Sequence, residues 1–291
     1  MNFRTDLALE RHEILGKEHL SGVVSETEEK GRVKITRIEI KTEDAAKQLS
    51  KPIGSYVTVE VPPFSDDAEI FDERFNALTE VIRKMLPQKG TVLVVGLGNI
   101  SITPDALGPK SASYILATRH ISEELKKAIG FESMRSVASL SPGVLGQTGI
   151  ETGEIIKGVV DRIKPSAVIT IDALASRNLS RLGCTVQLAD TGISPGSGVG
   201  NTRKRLDEKT LGVKVISLGV PTVVDGATLA HDLIDKNKSG HYSVLPESGQ
   251  MMVTPKEIDL LIERASRLVG MSINCALQPN MSHEDILSLV S

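Results

Sequence analysis

The run 91–98, TVLVVGLG, is apolar almost without interruption and closes on two glycines. A short apolar run bounded by a turn signal is how a strand reads when both faces of a parallel sheet are covered. Later segments repeat the theme. SASYILATRHISEELKKAI (111–129) has helical spacing, RSVASL (135–140) is a second strand, and EIIKGVVDRIK (154–164) is a second helix. SAVITID (166–172), CTVQLA (184–189) and VKVISLGV (213–220) predict three further strands. ATLAHDLIDK (227–236) and PKEIDLLIERASRLVGMSINCAL (255–277) predict two further helices. Strands alternating with helices require right-handed crossovers, so the expected class is α/β, a parallel or mixed sheet with helices on both faces.

The first 65 residues differ in style. RVKITRIEI (32–40) and SYVTVEV (55–61) alternate apolar and polar residues, as half-exposed antiparallel strands do, with a short helix and turn between them in TEDAAKQLSKPIG. PPFSDD breaks the pattern, and Ile70, Phe71, Phe75, Leu78, Val81, Ile82 and Met85 then recur near helical spacing. We expect a β-rich N-terminal extension, residues 1–90, packed on an α/β core of residues 91–291.

Composition narrows the function. The net charge is −3 with no long basic run, and aromatics make up 3% with no Trp, which argues against nucleic acid as a ligand. No apolar stretch approaches the roughly 18–20 residues that span a bilayer. The N-terminus MNFRTDLALERHE carries charges where a signal peptide is apolar, so a cytoplasmic protein without a membrane partner is expected. Two cysteines, Cys184 and Cys275, make no disulfide framework and sit in apolar surroundings as structural thiols.

Two aspartates carry the chemistry. Asp105 lies in the stiff, proline-flanked segment TPDALGP after the first core strand, and Asp172 ends the run AVITID. Sites in open α/β sheets form outside the carboxyl ends of strands. Two carboxylates there can share one proton and activate a water. Each also has a plain structural reading, an Asx-turn or helix cap for Asp105 and a bond to neighbouring amides for Asp172. GLGN (96–99) begins like a dinucleotide fingerprint but has Ser101 at the third glycine and a delayed helix. Asp190-Thr191-Gly192 matches the triplet of aspartic proteases that are all-β, unlike this chain. Glycine-rich loops follow it (190–201) and also fill 142–152, where Thr152 reads as a helix N-cap. Ser197 lacks the glycine at 195 that a nucleophile elbow needs. The six histidines have no paired ligand spacing; His231 with Asp232 is the nearest to one, and a surface or cap role suits it better.

Together the segments FRTDLALE (3–10), GLGN with TPDALGP (96–109), SPGVLGQTGIET (141–152), DALASR (172–177), DTGISPGSGVGN (190–201) and GVPTVVD (219–225) resemble the germination proteases of spore-forming bacteria. That resemblance implies a three-layer α/β/α fold related to hydrogenase-maturation endopeptidases. It also implies an endopeptidase that starts degradation of small acid-soluble spore proteins in the spore core, cutting after a Glu and before an apolar residue. A homotetramer, no cofactor, and Asp105 and Asp172 as the catalytic pair are implied as well. In the related maturation proteases acidic residues bind nickel, so a metal-dependent protease or amidohydrolase using the same aspartates is the alternative. The family is made as a zymogen; only Met1, Asn2 and Phe3 precede Arg4 here, which points to a near-absent propeptide or a near-mature form. Outside enzymes, the rivals are a nucleotide-binding protein at GLGN and an idle scaffold.

Overall fold

Strand burial follows the apolar runs closely. In a computed structural model that describes residues 5–16, 20–66, 68–128, 130–196, 204–235 and 251–290, with backbone alone for 231–235, the chain opens with helix α1 (Ala8–Ile14). Strands β1 (Val23–Lys30) and β2 (Val33–Ile40), helix α2 (Glu43–Leu49), strand β3 (Gly54–Glu60) and helix α3 (Glu73–Met85) come next. The run TVLVVGLG becomes β4 (Val92–Gly96), buried at every position. Helices α4 (Leu107–Ser113) and α5 (Glu123–Ala128), strand β5 (Val137–Leu140) and helices α6 (Leu145–Thr148) and α7 (Thr152–Ile163) lead to β6 (Ala167–Ser176). Then come β7 (Thr185–Ala189), α8 (Glu208–Leu211), β8 (Val215–Asp225), α9 (Gly226–Asp235), β9 (Met252–Val253), α10 (Ile258–Leu277) and α11 (His283–Val290).

The described strands form one mixed sheet in the order β1-β2-β3-β7-β8-β6-β4-β5, with β9 paired to the end of β8. The contacts β5-β4, β4-β6 and β6-β8 are parallel, as the alternation of strands and helices requires. The rest are antiparallel. The N-terminal strands extend the core sheet through β3 and β7, where Val57 stands opposite Leu188. One core cluster joins Val57 and Val59 of β3 and Phe75 and Leu78 of α3 to Val92 of β4 and Ile262 of α10. Residues Leu268–Leu277 of α10 are buried on every side, the mark of a helix enclosed by the rest of the protein.

Alternation along the strands assigns the two faces. Val92, Val94, Ile169 and Ile171 point toward α3, α4 and α10. Leu93, Val95 and Val168 point the other way, onto Ile156 and Val160 of α7 and Leu211 of α8. Farther along that second face, Ile38, Ile40 and Tyr56 are covered by Ala8 and Leu9 of α1 and Leu49 of α2. Each fully buried Leu or Ile contributes about 1.5–3 kcal/mol over an exposed one, so both faces are held strongly.

Several local expectations change. The single helix expected over 111–129 is two short ones. Asn274 of α10 takes over the backbone groups between them, donating to the Tyr114 carbonyl (2.8 Å) and accepting from the Leu116 amide (2.9 Å), so tertiary bonds replace helical ones. Strand β6 runs four residues past Asp172, because β8 pairs alongside it with Asp172 opposite Gly219 and Ser176 opposite Val224. Helix α7 has Glu151, not Thr152, at its N-cap; Thr152 is the first helical residue and its hydroxyl donates to the Gly143 carbonyl. Strand β1, VVSETEEK, has no alternating pattern and pairs on one side only, where its charges discourage another strand from adding. Among the described residues, no helix is long and apolar enough to cross a membrane.

Helix α1 is anchored by charge. Arg181 makes a bidentate pair with Glu13 (2.8 and 2.7 Å) and lies 3.4 Å from Glu10, which is only 2% exposed. Burial by itself lowers the guanidinium pKa, but the bonds and charges of Glu13, with Glu10 and Glu60, outweigh it and hold the pKa above its ordinary value. Arg181→Met would leave a buried carboxylate without its cation, which costs about 3 kcal/mol. The expected result is a matching fall in the urea midpoint of unfolding.

Candidate active site

On the second face, α7 and α8 cover one part of the sheet and α1 and α2 another. Between them no described helix covers the sheet, and a cavity of about 530 Å³ opens over β6, β7 and β8. Its floor is polar where the neighbouring strand surface is apolar: Asp172 from β6, Gln187 from β7 and Ser217 from β8. One wall is Asp6, Lys51 and Pro52. The other includes Gly143, Val144, Gly192 and Arg205. At one end lies the turn that carries Pro104 and Asp105.

The structure brings Asp105 and Asp172 into this one cavity. Asp105 closes a one-turn 3-10 helix, Thr103–Asp105. Rather than capping α4, its carboxylate accepts from the Asn99 amide at 2.7 Å, which folds the turn back on the GLGN loop. Thr222 of β8 donates to the Pro104 carbonyl at 2.8 Å and fixes the turn to the sheet. Two glycines make that fit possible. Gly98 has a φ of +114°, and a Cβ on it would strike the Asp105 carbonyl. Gly108 opens α4 so close to the sheet that a Cβ would strike the Leu97 and Ile171 carbonyls.

Asp172 is 6% exposed and accepts from the Ala173 amide at 2.9 Å. Its pKa lies well above the ordinary carboxylate range. Burial is the main cause, followed by the charges of Asp105 and Asp6; the Ala173 amide opposes them. Burial and the neighbouring Asp105 charge thus favour the protonated form of Asp172. Asp6 is the residue that pattern reading missed. It belongs to FRTDLALE, but nothing in that segment's pattern sets it beside the two aspartates. The structure instead splices it to β6: its amide donates to the Ala175 carbonyl, and its carboxylate accepts from the Ala175 amide, both at 2.9 Å. Its own carbonyl accepts from Lys51 (2.7 Å) and Gln187 (3.0 Å). Burial lowers the pKa of the Lys51 amine against the pull of Asp6, and burial raises that of the Tyr56 hydroxyl, at the same wall, to about 12.

The remaining motifs fall elsewhere or are structural. Asp190 accepts from the Ser55 amide at 2.8 Å and joins the ends of β7 and β3. Cys184 is half-buried and Cys275 buried, and burial raises the latter to about 11. The glycine-rich loop after Asp190 borders the cavity as far as Gly196; Ser197 and residues 198–203 lie outside the described residues. So do the side chains of His231 and Asp232. Among the described residues, no group of three His, Cys, Asp or Glu is placed to hold a metal.

A buried carboxyl whose pKa is raised, facing the same cleft as a second aspartate, has the chemistry of an acid–base hydrolase. Comparison with known proteins is specific. The model of the germination protease family matches residues 5–241. A germination protease of Clostridium perfringens is 46% identical over 98% of this chain and 98% of its own. One from Caldanaerobacter subterraneus is 44% identical over 100% of this chain and 98% of its own, and one from a Geobacillus strain 36% identical over 97% and 95%. The chain belongs to the germination protease family, proteases of spore germination. A crystal structure of a NiFe hydrogenase maturation protease from Thermococcus kodakarensis superposes on 68% of this chain and 98% of its own, at 20% identity and a TM-score of 0.38.

Proposed function

We propose that the protein is an endopeptidase of small acid-soluble spore proteins, working as a homotetramer, in which Asp105 and Asp172 divide acid–base work on one water. The observation that carries this reading is the unequal pair. Buried Asp172 keeps its proton, while the charge on the loop-held Asp105 helps to keep it there. Asp105 takes a proton from the attacking water as its oxygen bonds to the scissile carbonyl carbon. Asp172 gives its proton to the carbonyl oxygen. Collapse of the tetrahedral intermediate breaks the C–N bond: the proton held by Asp105 leaves on the amine, and one hydroxyl of the intermediate returns its proton to Asp172 as the product carboxyl forms. Backbone at Gly143 and Gly192 borders the same space and is available to polarise the carbonyl.

The decisive experiment incubates the protein with a small acid-soluble spore protein and reads the cut by mass spectrometry. A single early cut after a glutamate, unaffected by chelators, is expected. No cut, or loss of cutting on chelation, defeats the reading. A second measurement tests the electrostatics. Because the Asp6 charge helps hold the proton on Asp172, Asp6→Asn lowers the Asp172 pKa. The acid then loses its proton earlier as pH rises, so the alkaline limb of kcat/KM moves to lower pH. The amide still accepts from Ala175, so the fold is retained. An unmoved limb would assign the proton donor elsewhere.

A further inference from the structure

Helix α7 turns Ile156 and Val160 into the core, and beside its charged outer positions runs a partly buried apolar strip. Ile155, Val159 and Ile163, spaced four apart, line a shallow apolar groove with Ile150, which is 47% exposed. The adjacent stripe, also at four-residue spacing, reads Glu154, Gly158, Arg162, all exposed and all on the groove.

We propose that this face is a two-fold interface with a second copy of the chain, the two α7 helices running antiparallel and crossing at Gly158. Three observations converge. Gly158 is a poor choice inside a helix, and nothing among the described residues requires it: a Cβ there would meet none of their atoms within 4 Å. A glycine in such a place lets another backbone come close. Glu154 and Arg162 stand four residues to either side, about 6 Å along the axis. Reversing one helix about Gly158 therefore sets Glu154 against the partner's Arg162, and the same pair forms a second time by symmetry. Neither side chain has an ion pair among the described residues, whereas Lys157 and Asp161, on the same helix but off the groove, pair with each other. The apolar stripe beside the charges supplies the dry centre, and the charges set the orientation.

A charge swap tests this without reference to cleavage. Sedimentation of the full chain gives the assembled mass, and circular dichroism confirms that each variant is folded. Glu154→Arg places like charges together twice and is expected to weaken association about tenfold or more. Arg162→Glu is expected to do the same. The double variant, Glu154→Arg with Arg162→Glu, restores the opposition and the wild-type mass. A monomeric wild type, single variants of unchanged mass, or a double variant that fails to recover would overturn the proposal. Unchanged mass in the singles would assign the groove to a different occupant.

Discussion

Asp172→Asn is expected to leave a folded protein whose proteolytic activity has fallen by about 10²–10⁴-fold, the usual worth of a positioned acid or base. The change is nearly isosteric. The amide oxygen still accepts from the Ala173 amide, while the transferable proton is gone. Asp105→Asn is expected to lose a similar factor for the opposite reason, since the proton acceptor is removed while the bond from Asn99 is kept. Near-normal turnover in either variant would end the paired-carboxylate mechanism.

The same substitution at Asp172 has a thermodynamic signature that requires no substrate. The folded pKa of Asp172 is raised, chiefly by burial. Below about pH 4 both the folded and the unfolded chain carry the proton. As pH climbs, the unfolded chain releases it first and the folded chain retains it, so wild-type stability falls until pH passes the folded pKa. Asparagine does not titrate. Asp172→Asn should therefore gain on the wild type across that window, by about 1.4 kcal/mol for each unit of elevation. For a chain of this size each kcal/mol is worth about 2 °C. Melting curves from pH 4 to 8 check it, and parallel curves for the two proteins would contradict a protonated Asp172.

Gly108→Ala has the other large effect, and it acts on the frame. The added Cβ meets the Leu97 carbonyl and amide and the Ile171 carbonyl, all backbone atoms, so no side chain can swing aside. Either α4 moves off the sheet or β4 and β6 separate. Overpacking of this kind costs about 3 kcal/mol or more. Because Leu97 and Ile171 immediately precede the rest of the GLGN loop and Asp172, the variant that does fold is expected to be impaired in cleavage as well. Gly146→Ala is the control: a Cβ there meets nothing within 4 Å, and stability should hardly change. Similar melting temperatures for the two variants would mean that α4 is not seated as described.

Most strands were legible because burial on both faces writes itself locally, as in TVLVV and AVITI. β1 was not, since an exposed edge strand owes its conformation to pairing with β2 and leaves no apolar pattern. The spacing over 111–129 is locally helical, yet Asn274, in a distant helix, decides the backbone bonding there. Asp105 and Asp172 stood out by position after apolar runs. Asp6 did not, because nothing near it in sequence signals a bond to Ala175, 169 residues on.

By itself the sequence determined the α/β class and, through its motifs, membership of the germination protease family, and it singled out Asp105 and Asp172 as candidates. These are local properties: periodicity records which faces are buried, and motifs record residue types in fixed order. Tertiary structure alone decided that β1–β3 join the core sheet, that a cavity opens on the second face between α2 and α7, and that Asp6 lines it. It also raised the pKa of Asp172. A pKa is set by desolvation and by charges within a few ångströms, and those neighbours come from segments that only folding brings together.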